Sequence, residues 1–303
     1  MIIPTCTKCH SRPSIYHRTY SGERLCPTCF KASLKERAQT AINRFEMLDH
    51  WSRIAVAVSG GKDSLTLLYL LKEIEGGTHG SELIAVTVDE GISGYRNEAL
   101  GIVERACRIV DVEWRLVSFH DLFGYTMDKI ASWDRSLGAC SFCGVLRRRA
   151  LNEAAKQLGA DRLATGHTLD DMAQSALLNL LRGDTGKMTS LSPGGFTNPG
   201  FVRRIKPLCE VPERETALYA YLQGFELQST ACPYAGEAMR GDARIFLNQM
   251  EAKRPGTLFT AFNTALKLIP NAVSSESMKI CHLCGEPSTE TTCRVCQLLS
   301  EKN

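Results

Sequence analysis

The stretch RIAVAVSGGKDS, residues 53–64, decides the reading of this chain. Arg53–Val58 is a short apolar run of strand length, and the rest is a turn carrying the adjacent glycines Gly60 and Gly61. Glycines let the backbone bend sharply and aim its N–H groups inward. The apolar run Leu65–Ile74 follows with helical length, so the turn opens onto a helix N-terminus, where free amides and the dipole favour an anion. Lys62 adds a point charge, and the hydroxyls of Ser59 and Ser64 can donate to phosphate oxygens. Ser59, Gly60, Gly61, Lys62, Asp63 and Ser64 are therefore the candidate phosphate-binding set. Their spacing is not G-x-x-x-x-G-K-[ST], which excludes a Walker A loop.

Working outward, strand-like and helix-like patterns alternate. Strands are expected at Arg53–Val58, Glu82–Val88, Val112–Phe119, Arg162–Thr165 and Val202–Leu208. Helices are expected at Leu65–Ile74, Asn97–Val110, Gly144–Leu158, Leu169–Arg182, Glu213–Gln223, Asp242–Lys253 and Leu258–Leu268. This alternation predicts an α/β fold with a doubly wound, parallel five-stranded sheet, whose ligands sit beyond the strand C-termini. Asp89, ending the second strand, is expected near the ribose or adenine of a nucleotide. Gly166 and His167, after the fourth strand, allow close backbone approach, and Asp170 and Asp171 open the next helix as candidate Mg²⁺ ligands. The bland alternative for that pair is N-capping.

Of the 303 residues, 44% are hydrophobic and 23% charged, ordinary for a soluble globular protein. No apolar run approaches the roughly 18–20 residues of a membrane span, and the start MIIPTCTKCH lacks a secretory pattern. A cytoplasmic location is expected. The net charge of +3 does not by itself announce a nucleic-acid binder.

The 13 cysteines say more, because ten fall into C-x2-C pairs. Cys6, Cys9, Cys26 and Cys29 at one end, and Cys281, Cys284, Cys293 and Cys296 at the other, each supply four thiolates in two close pairs. That donor set suits a closed, structural Zn²⁺. Three segments follow: an N-terminal zinc finger over 1–37, a catalytic domain over 38–272, and a C-terminal zinc finger over 273–303 entered through Ser274–Ser277. The basic residues Lys8, Arg12, Arg18, Arg24 and Lys31 are candidate RNA-phosphate contacts, as are Arg147–Arg149 and Arg203–Arg204.

The fifth pair, Cys140 and Cys143, has no second pair beside it, and Cys232 lies in a loop with little apolar periodicity. Three such cysteines suit a [4Fe–4S] cluster with one iron left unligated by protein. A persulfide–disulfide pair, or Zn²⁺ with a fourth ligand, fits the spacing equally well.

SGGKDS resembles the PP-loop of N-type ATP pyrophosphatases. Together with CSFCG, TGH-x-x-DD-x-AQ and ACPY in that order, it is similar to the tRNA 2-thiolation enzymes across essentially the whole chain. The terminal pairs point to the TtuA group and the cytosolic wobble-uridine thiolases rather than the cytidine-specific TtcA group. Met172 stands where that pattern is often acidic.

The resemblance implies a [4Fe–4S] cluster on Cys140, Cys143 and Cys232. It also implies ATP with Mg²⁺ held by Asp63 and Asp170 or Asp171, adenylation of a uridine oxygen, and sulfur transfer to give 2-thiouridine. The implied partners are tRNA and a ubiquitin-like sulfur carrier, with a homodimer expected. Cytidine thiolation and a non-enzymatic zinc-ribbon RNA adaptor are the alternatives.

Overall fold

The computed structural model describes residues 4–75, 80–196, 198–235, 240–269 and 279–301, so the expected Ser274–Ser277 linker lies outside the described residues. In chain order the elements are β1 (Tyr16–Arg18), β2 (Glu23–Leu25), α1 (Pro27–Arg44), β3 (Arg53–Ala57), α2 (Lys62–Glu75), β4 (Glu82–Asp89), α3 (Arg96–Ile109) and β5 (Glu113–Ser118). Then come α4 (Phe119–Phe123), α5 (Met127–Ala131), α6 (Ala139–Gln157), β6 (Arg162–Ala164), α7 (Leu169–Leu181), α8 (Thr185–Met188) and β7 (Arg203–Ile205). The chain continues with α9 (Glu213–Gln223), α10 (Arg240–Lys253), α11 (Thr257–Lys267), β8 (Lys279–Ile280), β9 (Pro287–Ser288) and α12 (Arg294–Leu299).

The central sheet is five-stranded and parallel, in the order β5-β4-β3-β6-β7. Its strands are apolar on both faces, and the period of two still sorts them. Ile54, Val56 and Ala85 join one core, and Ala55, Val86 and Val88 join the other. The first core is closed by α1, α2, α3, α7, α9 and α11, the second by α5, α6 and α12. The chain winds from β3 outward to β5, then returns to β6 on the other side of β3. The loops after β3 and β6 thus diverge at a topological switch point and leave a crevice between them.

Three expectations shift. Helix α6 begins at Ala139, not Gly144, so Cys140 and Cys143 lie at its start; its N-cap is Gly138, which makes no side-chain cap bond, and cysteines at i and i+3 share a helix face. Strand β7 stops at Ile205, because the Lys206 amide turns to the Pro193 carbonyl (3.0 Å) and Pro207 has no amide to donate. The boundary expected at residue 37 falls inside α1, which starts at the N-terminal cysteines with Pro27 in its first turn and runs unbroken to Arg44.

Candidate active site

The phosphate loop is held by its own hydroxyls. Ser64 Oγ accepts from the Ser59 amide (3.1 Å) and donates to the Gly61 carbonyl (2.9 Å). Gly60 has φ +89°, and a Cβ there would stand 3.1 Å from the Ala99 carbonyl oxygen. Gly166 brings the β6 loop against the β3 loop, since its Cβ would lie 3.1 Å from the Asp63 backbone. Between the two loops opens a cavity of about 330 Å³, lined by Ser59, Asp63, Ser64, Gly166, His167 and Asp171 among others. His167 Nδ1 is 2.8 Å from Thr165 Oγ1.

The candidate ligands are divided between two cavities. Lys62 and Asp170 line a second one, of about 460 Å³, with Glu213 and Arg244. Lys62 Nζ donates to Asp63 Oδ2 (2.9 Å) and Glu213 Oε1 (2.8 Å), and Arg244 shares the same Glu213 carboxylate (2.9 Å). Burial works against the Lys62 ammonium, but Asp63 and Glu213 outweigh it and hold its pKa above the ordinary value. Burial raises both Asp63 and Asp170.

Asp170 accepts from the Glu213 amide (2.7 Å). Asp171 forms a capping box with Thr168, its Oδ2 accepting from the Thr168 amide (3.0 Å). The capping alternative is therefore realised for Asp171, and Asp171 rather than Asp170 shares the loop cavity with Asp63. Asp89 departs from expectation: its carboxylate folds onto the Gly91 amide (2.8 Å), and the neighbouring Glu90 lines the cavity instead. Glu213 and Thr216, whose hydroxyl bonds to Asp63, escaped the sequence reading. Their only local signal is a Pro-Glu helix start.

The internal cysteines converge. Cys140 Sγ donates to the Tyr234 carbonyl (3.0 Å), two residues beyond Cys232, and Cys143, Cys232 and Tyr234 pack into one apolar cluster. Burial pushes the Cys143 thiol up to about 11, against the opposing charge of Arg147. A continuous polar chain joins them to the phosphate loop. Arg147 donates to Cys143 Sγ (3.1 Å) and to Glu90 Oε1 (2.8 Å). The buried Glu90 pairs with Arg96 (2.9 Å), and Arg96 donates to the Ser59 carbonyl (3.3 Å). Arg147 is thus a cleft residue rather than a guide for RNA.

Among the described residues, only the two terminal four-cysteine sets bring three or more candidate ligand atoms within 4.8 Å of one another. The internal trio is not one of these sets.

In the terminal sets sulfurs stand 3.9 Å (Cys9–Cys26) and 3.6 Å (Cys284–Cys293) apart, with all four of each set within 4.8 Å of one another. A disulfide needs about 2.05 Å, whereas Zn–S bonds of about 2.3 Å give tetrahedral edges of about 3.8 Å. The donor sets fit Zn²⁺. Arg18, expected at an RNA surface, is instead buried: it donates to Glu215 Oε1 (3.0 Å) and Oε2 (2.9 Å) and to Ser33 (2.9 Å).

Comparison with known proteins agrees with this geometry. Residues 33–229 match the PP-loop domain family, and residues 5–31 match the N-terminal LIM domain of the 2-thiouridine synthetase TtuA. Cytoplasmic tRNA 2-thiolation protein 1 of Bos taurus is 38% identical, covering 100% of this chain and 89% of that protein. A probable sulfurtransferase of Methanocaldococcus jannaschii is 35% identical over 94% of this chain and 85% of its own length. The U34-tRNA thiolase NcsA from Methanococcus maripaludis, solved with its [4Fe-4S] cluster, superposes with a TM-score of 0.84 at 34% identity, covering 99% of this chain and 96% of that one. The chain belongs to the PP-loop family of tRNA 2-thiolation proteins that carry a TtuA-type N-terminal module.

Proposed function

We propose that the chain is an ATP-dependent tRNA sulfurtransferase that makes 2-thiouridine, at position 34 by its likeness to the NcsA thiolase. The observation that supports this reading is the polar chain from Cys143 through Arg147, Glu90 and Arg96 to Ser59, which links the cysteine side of the cleft to the phosphate loop. The uridine O2 attacks the α-phosphate of ATP, and pyrophosphate leaves. A sulfur nucleophile then adds at C2, and AMP departs with the original oxygen.

The loop amides and Lys62 stabilise charge on the phosphates, Lys62 exchanging Glu213 for the incoming oxygens. Asp63 and Asp171 are the oxygen donors for Mg²⁺ in that cavity. Cys140, Cys143 and Cys232 would hold a [4Fe–4S] cluster, which would present sulfide taken from the sulfur donor to the activated carbon. Each terminal four-cysteine set takes one structural Zn²⁺.

A central catalytic unit between N- and C-terminal four-cysteine units, the first continuous with it through α1, a ubiquitin-like thiocarboxylate donor, a homodimer and a cytoplasmic site of action complete the proposal. No described helix is long and apolar enough to cross a membrane.

Nucleoside mass spectrometry of tRNA from a deletion strain is the test. Loss of 2-thiouridine with 2-thiocytidine retained is expected, and the reverse pattern would overturn the uridine reading. Anaerobically purified protein should hold about four iron and four sulfide per chain. Cys232→Ala should abolish thiolation while keeping affinity for an ATP analogue.

A further inference from the structure

The structure disposes of most of the internal arginines that the sequence nominates for RNA. Arg147 is held by Glu90 and Cys143. Arg149 pairs with Glu153 (3.2 Å) and with Glu286 of the C-terminal segment (3.2 Å). Arg203 donates to the carbonyls of Gly194 (2.6 Å) and Glu46 (2.9 Å). Arg204 differs: its Nε is buried without a hydrogen-bond partner, and among the described residues no carboxylate pairs with it.

Its neighbour is another cation. Asn152 of α6 accepts from the Val202 amide (2.9 Å) and donates to the Gly200 carbonyl (3.3 Å), pinning the helix to the approach of β7. Arg148 lies four residues before Asn152, on the same helix face. Arg204 lies two residues after Val202, on the same strand face. The two cations therefore meet, and burial together with the Arg148 charge pulls Arg204 down to about 10. A terminal nitrogen of Arg148 reaches to 3.5 Å from where a Gly144 Cβ would stand, next to Cys143.

Strand β7 is the sheet's edge, so among the described residues no further strand covers this side. Phe201, three residues before Arg204, has an exposed ring, as does Phe196, whose neighbour Gly195 packs backbone to backbone on Arg204.

We infer that Arg204, with Arg148 beside it, forms a binding site for a backbone phosphate of the substrate RNA, about one and a half helical turns along α6 from Cys143. The inference rests on the tRNA-thiolating reading and deepens it. A planar guanidinium without a carboxylate is matched by a phosphodiester, which accepts two of its N–H groups at once. Exposed aromatic rings flanking such a cation are the usual platform for unstacked bases. Neither arginine lines the loop cavity, which separates this anion from the phosphates of ATP. A single-stranded segment held here would present its neighbouring base to the cysteine trio.

The experiment uses the full-length holoprotein with unmodified substrate tRNA, comparing wild type, Arg204→Gln and Arg204→Lys. Affinity is read by fluorescence anisotropy across a salt series. Arg204→Gln should bind tRNA about tenfold more weakly, with a salt dependence shallower by nearly one released ion. Arg204→Lys should keep the salt slope.

Removing a half-buried charge repelled by its neighbour should leave the melting temperature of the Gln variant equal to or above wild type, so weak binding will not reflect misfolding. Inorganic phosphate, pyrophosphate and an ATP analogue are titrated in parallel. Unchanged tRNA affinity in Arg204→Gln, or a loss confined to those small anions, overturns the inference while leaving the thiolation reading intact. A wild-type protein that neither binds nor thiolates tRNA overturns both.

Discussion

Glu90 holds two guanidinium groups at once, Arg96 on the phosphate-loop side and Arg147 on the cysteine side. Its carboxylate is 4% exposed, so water replaces little of what a substitution removes. Breaking a buried ion pair from one side leaves an uncompensated charge. Glu90→Gln should therefore lose roughly 3 kcal/mol in denaturant unfolding and reduce thiolation more than it reduces ATP-analogue binding.

A second residue-scale prediction concerns Lys206, which donates to the carbonyls of Ser190 and Ser192 with Arg204 and Cys209 as its charged or titratable neighbours. Burial lowers its pKa to about 8 from 10.5. Below about pH 8 the ammonium is charged in both folded and unfolded chains, and folding bears its desolvation. Above that pH only the folded chain sheds the proton, so stability from this group rises with pH. Between pH 7 and 9.5 wild type should gain roughly 2 kcal/mol relative to Lys206→Met, read by chemical denaturation. A parallel pH dependence of the two proteins would contradict the assignment.

At the scale of elements, helix α9 carries most of the unexpected structure. Within one turn, Glu213 holds Lys62, Thr216 bonds to Asp63, and Glu215 anchors Arg18 of the N-terminal segment with Tyr16 and Tyr20. The helix thus ties the N-terminal cysteine unit to the phosphate loop. Glu215→Gln should destabilise the protein by about 3 kcal/mol and weaken ATP-analogue binding although Glu215 itself touches no part of the loop cavity. Retained zinc with undiminished ATP affinity, by metal analysis and calorimetry, would show the two ends of α9 to be independent.

The sequence reading found α9 itself within its observed limits, since periodicity is a local property. It missed the role of α9, because Glu213, Glu215 and Thr216 take their meaning from residues about 40 to 200 positions away. The start of α6 was hidden for another reason: two cysteines in a row of small residues resemble a loop, and only packing of Phe142 and Leu146 in the core fixes the first turn as helix.

For the molecule as a whole, the two terminal four-cysteine units dock on opposite faces of the sheet. Phe30 and Leu34 of α1 join the core on one face, and Leu298 of α12 joins the core on the other. Helix α1 begins at Cys26, its N-cap, and extends deep into the first core, whereas the C-terminal set includes an exposed cysteine, Cys284. Removing one ligand from each set should therefore have unequal effects. Cys26→Ser should lower the melting temperature of the whole protein, and Cys284→Ser should mainly release zinc from its own end. Equal shifts by calorimetry, with zinc content measured for each variant, would argue against this asymmetry.

The sequence alone determined the α/β alternation, the phosphate loop and both terminal four-cysteine sets, because each depends on residues a few positions apart, or on a repeat that sterics and hydrogen bonding impose on neighbours. Tertiary structure decided that Asp171 rather than Asp170 shares the cavity of Asp63, that Glu90 replaces Asp89 beside it, and that Arg18 is buried while Arg204 meets no counter-charge among the described residues. Those outcomes depend on which distant group arrives at a given side chain, and burial then fixes how strongly the two interact.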